Sequence, residues 1–181
     1  MNNFQNRKST RIKGFDYSTA RPYFITICTA QKREYFIDEE MNSKIIKCLR
    51  EEKERSGFSV FVYCLMPDHL HLLISPPGDG VNVSEFVGRF KGKTTYLAWP
   101  FDVRGKLWQG RFYDHVVRKK EDMKRIAEYI LNNPVRQGIV KKWEDYKYCG
   151  LLDKWRPYFK RWRSQKKYTD SHVGTGFIPV R

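Results

Sequence analysis

Hydrophobic and polar residues alternate in "RPYFITICT", run almost unbroken through "FSVFVYCLM" and "HLHLLIS", and recur every three or four residues between these stretches. Alternation and short apolar runs indicate strands, and the longer spacing indicates helices. "RPYFITICTAQKREYF" is rich in aromatic and β-branched residues and reads as strand, turn, strand. In "DEEMNSKIIKCLREEKERSG", Met41, Ile45, Cys48 and Leu49 fall on one side of a helix, and Gly57 follows as a stop. "FSVFVYCLM" and "HLHLLIS" are the next two strands, ended by "PPGDG". Asn82 with Glu85 resembles a capping box, after which Val83, Phe86, Val87 and Phe90 mark a buried helix side. "LWQGRFYDHVVR" contains another strand. "EDMKRIAEYILNNP" is a helix with Met123, Ile126, Ala127, Ile130 and Leu131 as its buried stripe, stopped by Pro134. The order β-β-α-β-β-α-β-α predicts an α+β fold, a central antiparallel sheet with packed helices. No repeat or linker divides the chain. Residues 1–14 read as a basic arm, 15–150 as the domain, and 151–181 as a basic tail with little periodic pattern.

Composition narrows the class. At 181 residues with 40% apolar content, the chain can bury a real core and is not generally disordered. No apolar run is long enough to span a bilayer. The start, "MNNFQNRKSTRIKG", is polar and basic with no apolar segment of a secretory signal. Cys28, Cys48, Cys64 and Cys149 are widely spaced, which predicts free thiols in a reducing cytoplasm rather than disulfides or a zinc cluster. The net charge of +15 changes the picture most. It calls for a densely negative partner, most simply nucleic acid, and places the protein at the nucleoid. Aromatics interleave with the charge in "KWRPYFKRWRSQKKY", as stacking on bases requires. There is no long amphipathic helix with a basic face for a membrane surface.

Chemistry concentrates in "MPDHLHLLIS". On a strand, His69 and His71 share one face while Leu70, Leu72 and Ile74 share the other. Two neutral imidazoles side by side are half of a metal site, and Asp68 is either a partner for a ring N–H or a turn residue after Pro67. The bland alternative is a pair of polar-face residues. On the later helix, Tyr129 and Asn133 lie off the apolar stripe, four residues apart and hence one above the other. Asn133 offers an oxygen ligand and Tyr129 a hydroxyl; alternatively they are a boundary residue and a helix-end residue. Two histidines with one amide oxygen leave positions open and suit Mg²⁺ or Mn²⁺ better than a closed structural zinc. Such a cation polarises a phosphate, beside which a tyrosine can act as nucleophile.

"MPDHLHLLIS", "LWQGRFYDHVVR" and "IAEYILNNPVRQGIV", in this order and spacing, resemble the single-tyrosine transposases of the HUH endonuclease superfamily, in particular the REP-associated tyrosine transposases of the IS200-like transposase family. "RIKGFDYSTARPYFITICT" also resembles the opening strand of that family, so the likeness covers residues 10 to 150. The resemblance implies a ferredoxin-like antiparallel sheet flanked by helices, with His69 and His71 as the metal pair and Tyr129 as the nucleophile. Asn133 stands where many relatives carry glutamine, one methylene longer. It implies a metal-dependent single-stranded DNA endonuclease and strand transferase, acting near hairpins through a 5′-phosphotyrosine, as a monomer or homodimer. The alternative is a hairpin DNA- or RNA-binding protein derived from such a transposase, without catalysis. Candidate DNA contacts are Arg11, Lys13, Lys91, Lys93, Trp108, Gln109, Arg111 and Arg136. Trp108, Gln109 and Arg111 form a base-stacking and phosphate-holding cluster, unless Trp108 is a core residue. His115 is left unassigned.

Overall fold

The computed structural model describes residues 18–153, apart from 79, 118 and 119. Five strands, β1 (Tyr23–Cys28), β2 (Ser59–Met66), β3 (His69–Ser75), β4 (Tyr113–Val116) and β5 (Cys149–Leu151), form one antiparallel sheet in the order β4-β1-β3-β2-β5. Helices α1 (Glu39–Ser56) and α2 (Val83–Ala98) pack on one face, and α3 (Lys120–Leu131) packs on the other, followed by the short α4 (Asn133–Arg136). This is the α+β arrangement predicted from the element order.

Strand parity assigns each side chain to a layer. Tyr23, Ile25 and Ile27 of β1 and Leu70, Leu72 and Ile74 of β3 bury against α1 and α2. Phe24 and Leu73 point into the layer beneath α3. Thr26, His69 and His71 share that second face by the alternation of the same strands. A bulge between Val60 and Val62 shifts β2 by one residue, so Val60 faces α1 whereas Val62, Cys64 and Met66 face α3. A one-residue shift exchanges the two faces of a strand.

Both long helices on the first face have the expected ends. Asp38 caps α1 by accepting from the Met41 N–H at 2.8 Å, and Gly57 closes it at φ 70°, a left-handed position that favours glycine. The Asn82 side chain accepts from the Glu85 N–H at 3.0 Å and donates to the Glu85 carboxylate at 3.1 Å. Glu52, fully buried, pairs within α1 with Arg55 (2.7 Å) and joins α1 to α2 through Arg89 (2.9 Å) and Lys93 (3.3 Å).

Three features differ from the reading of the sequence. "REYF" is not a second strand: after β1 the chain makes a 3-10 turn over Ala30–Lys32, with Gln31 and Lys32 at positive φ. The end of β1 pairs instead with a distant segment, through the Thr29–Trp108 bridge, Ala30 N–H to Leu107 O and Gln109 N–H to Cys28 O, both 2.9 Å. Pro134 does not end the helical path; it sits in the first turn of α4, where its missing N–H costs nothing. Finally, the sheet continues past residue 150. Leu151 pairs with Val62, and Asp153 accepts from the Val60 N–H at 2.8 Å. Of the tail read over 151–181, residues 154–181 lie outside the described residues, as does the basic arm with Arg11 and Lys13. Among the described residues no helix is long and apolar enough to cross a membrane.

Candidate active site

The histidine pair begins at the two-residue connection between β2 and β3. The Thr29 N–H and hydroxyl both bond the Asp68 carbonyl at 2.9 Å, and the Phe36 N–H bonds the Pro67 carbonyl at 3.0 Å. These contacts fix the turn and hold His69 at the first position of β3. Its Nδ1 lies 2.5 Å from the Asp68 carboxylate, and that hydrogen bond holds Asp68 below the usual carboxylate range. An ionised carboxylate only accepts, so the His69 Nδ1 carries a proton toward Asp68, and Nε2 is turned away from Asp68. His71 is paired with Thr26 across β1, whose hydroxyl lies 2.9 Å from the His71 Nδ1. The two free edges then converge: His69 Nε2 and His71 Nε2 are 3.1 Å apart. Burial pushes His71 far below the ordinary histidine range, with His69 and Arg136 acting in the same direction, so this ring is neutral.

α3 brings Tyr129 to the same place. Its ring centroid lies 5.7 Å from that of His71 and 5.9 Å from that of Phe24, at 62° and 85° respectively. Phe24 also packs 5.3 Å from His71 and 6.2 Å from Tyr113, so it is the apolar floor on which the three rings rest. The Arg136 guanidinium carbon stands 4.6 Å from the Tyr129 ring centroid. Asn133 does not continue the helix of Tyr129 as the spacing predicted: α3 ends at Leu131, Asn132 turns with ψ 2°, and Asn133 opens α4. Asn133 is buried, and among the described residues its side chain has no hydrogen bond to either histidine. Nor is there a described cluster of three or more His, Cys, Asp or Glu side chains able to hold a metal ion.

A sequence model of the family described as "Transposase IS200 like" matches residues 18–133, from the approach to β1 to the first residue of α4. The chain belongs to this family. It is 26% identical over 147 residues to a Haemophilus influenzae protein with the provisional name REP-associated tyrosine transposase, covering 75% of this chain and 82% of that one. It is 23% identical over 131 residues to the REP-associated tyrosine transposase of Escherichia coli K12, covering 72% and 76%. In fold it is similar to a solved REP-associated tyrosine transposase bound to a REP hairpin, with a TM-score of 0.63, 20% identity, and coverage of 91% of this chain and 97% of the other.

In this IS200-like transposase, the remaining predicted contacts divide by burial and partner. Trp108 is core, 3% exposed, packed on Phe36 and Phe90 and donating its indole N–H to Thr94 at 2.8 Å. It cannot stack on a base, which corrects the sequence expectation. Lys93 is paired with buried Glu52, and Lys91 donates to the carbonyls of Gln109 and Gly110. Lys91 thus clamps the "WQGR" segment rather than standing free. Gln109 and Arg111 are exposed on that segment, which runs along the edge of β1 from Cys28 to Thr26 that faces away from the histidine strand β3. Sequence reasoning missed Thr26 and Phe24. Their strand was recognised, and its parity with the histidine strand was the signal that could have found them.

Proposed function

We propose that this transposase cuts and rejoins single-stranded DNA beside hairpins, with Tyr129 as nucleophile and Mg²⁺ or Mn²⁺ held by His69 and His71, Asn133 being the candidate third ligand. One observation carries the reading: two imidazoles converge through Nε2 with both Nδ1 atoms occupied, next to a tyrosine ring. Such outer hydrogen bonds fix ligand tautomer and orientation in metal sites. The 3.1 Å separation fits the donor set to the ion, since adjacent ligands of an octahedral ion with bonds of about 2.1 Å lie about 3 Å apart. When bound, the cation would polarise the scissile phosphate.

The chain's own residues do the rest. The Tyr129 oxygen forms a bond to phosphorus as the bond from phosphorus to the 3′ oxygen breaks. The phenolic proton passes to water, and the departing 3′ oxygen takes up a proton. The strand beyond the cut is left on Tyr129 by its 5′ phosphate. One phosphodiester replaces another, so attack by a 3′-hydroxyl reverses the step without ATP. Hairpin DNA is the substrate class supported by the relatives' names and by the +15 charge. Exposed Gln109 and Arg111 stand at the sheet edge to receive it.

The test is incubation of end-labelled single-stranded hairpin oligonucleotides with the protein, with and without Mn²⁺, read as a denaturant-resistant adduct on a gel. An adduct is expected from the wild type with metal and from neither Tyr129→Phe nor His69→Ala. Nicking by Tyr129→Phe at the wild-type rate overturns the assignment of the nucleophile. Tight hairpin binding with no adduct across varied hairpins and both metals leaves the binding-module reading.

A further inference from the structure

Among the described residues, Arg136 is the predicted DNA contact that the fold carries to the Tyr129 ring. It lies seven residues beyond Tyr129, across the break at Asn132, and it returns because α4 folds back in a tight turn. The Arg136 N–H bonds the Asn132 carbonyl at 2.9 Å and Gly138 closes the turn at φ 70°. Its guanidinium carbon then lies 4.6 Å from the Tyr129 ring centroid, over the ring. The residue is exposed, and among the described residues no carboxylate pairs with it. A guanidinium lying over an aromatic face uses its π surface and keeps its in-plane N–H groups for another ligand. Those donors match the oxygens of a phosphate, which a planar fork binds in two places at once. Tyr129 also meets Phe24 in a T-shaped contact, 5.9 Å between ring centroids, so the arginine and the phenylalanine both pack on the tyrosine ring.

We infer that Arg136 holds a backbone phosphate of the bound strand while it braces the Tyr129 ring, so that phosphate and nucleophile are positioned by one side chain. The inference rests on the proposed reaction for the second half of this role but not for the first. Arg136 is therefore a phosphate ligand and a positioning residue for Tyr129.

Two readouts keep the halves apart. The first is the salt dependence of hairpin-oligonucleotide binding, in which each single-strand phosphate contact contributes a slope of about 0.7 in log K against log salt. The second is the rate of adduct formation at saturating oligonucleotide. Arg136→Ala is expected to lose about 0.7 of slope and to form adduct about 100-fold more slowly, the scale of a nucleophile misplaced by an ångström. Arg136→Lys is expected to recover the slope, because the charge remains, but not the rate, because the guanidinium over the ring is gone. Unchanged slope and rate in Arg136→Ala overturn the inference, and so does a slower rate with an unchanged slope. If the wild type forms no adduct while Arg136→Ala loses the slope, the reaction fails and the phosphate contact stands.

Discussion

Replacing Thr26 with valine removes one hydroxyl while keeping the shape of the side chain, and it isolates the support of the histidine site. The hydroxyl lies 2.9 Å from the His71 Nδ1, in a ring that burial keeps neutral. A threonine hydroxyl can donate or accept, so it serves His71 in either tautomer. His69 has its proton on Nδ1, facing Asp68. Where the His69 Nε2 offers its lone pair, the 3.1 Å contact between the rings has His71 donating from Nε2, and Thr26 then donates to Nδ1. For His71 to offer its Nε2 lone pair to a cation the proton must move to Nδ1, and Thr26 must accept it. Valine can do neither. The lost bond, with Nδ1 left unpartnered, is expected to cost about 1–3 kcal/mol of folding stability. Part of that is returned by the better strand propensity of valine. Metal affinity is expected to fall about 10–100-fold, the usual effect of losing an outer hydrogen bond to a ligand. Urea unfolding gives the first quantity, and calorimetric titration with Mn²⁺ gives the second. Thr26→Ser, which keeps the hydroxyl, should recover most of the affinity. A Thr26→Val protein that binds Mn²⁺ as the wild type does would refute the role given to this hydrogen bond.

Two further predictions concern residues outside the site. Burial alone would raise the Glu52 carboxyl, but hydrogen bonds from Arg55, Arg89 and Lys93 outweigh it and hold the group below the ordinary range. A depressed carboxyl contributes stability above its unfolded pKa of about 4.3 and loses it as pH falls through the folded value. Glu52→Gln should therefore cost about 1–3 kcal/mol at neutral pH, and the gap to wild type should close below about pH 4 in urea unfolding; a gap independent of pH would remove the charge from the explanation. Trp108→Phe should cost about 2 kcal/mol through the lost bond to Thr94 and the lost volume, with hairpin affinity of the folded protein unchanged. A large loss of affinity at unchanged stability would return Trp108 to the DNA interface.

Much of the architecture was legible because it follows from local rules. Asp38, Asn82 and Gly57 mark helix ends through bonds and dihedrals set within a few residues, and the apolar spacing of α1, α2 and α3 gives each one buried stripe. The short β5 was not legible: "CGL" has no pattern of its own, and it is a strand only because Cys64, Tyr63 and Val62 lie beside it. Gly150 there meets the Tyr63 ring so closely that an added Cβ would lie 3.2 Å from it, a constraint invisible in a single chain. "REYF" misled for the converse reason. Its residues favour a strand, yet the end of β1 found its partner eighty residues away, at Trp108.

The candidate site divides along the same line. Strand alternation by itself put His69 and His71 on one face, because a period of two leaves no other choice. Their identity as a convergent pair came from the fold: Asp68 and Thr26 take the Nδ1 atoms, and only then do the Nε2 atoms meet. Helical spacing suggested one continuous helix through Tyr129 and Asn133, but a turn at Asn132 separates α3 from α4, and α4 carries Arg136 to the tyrosine ring. Composition established a basic chain without saying which cations are already used; Glu52 takes Lys93, and the carbonyls of Gln109 and Gly110 take Lys91. Periodicity, caps and charge act over a few residues or over the whole chain, so the sequence states them directly. Which ring faces which, and which charge is spent on a neighbour, depends on contacts between segments far apart in the chain, and those are set only when the sheet and its helices close around them.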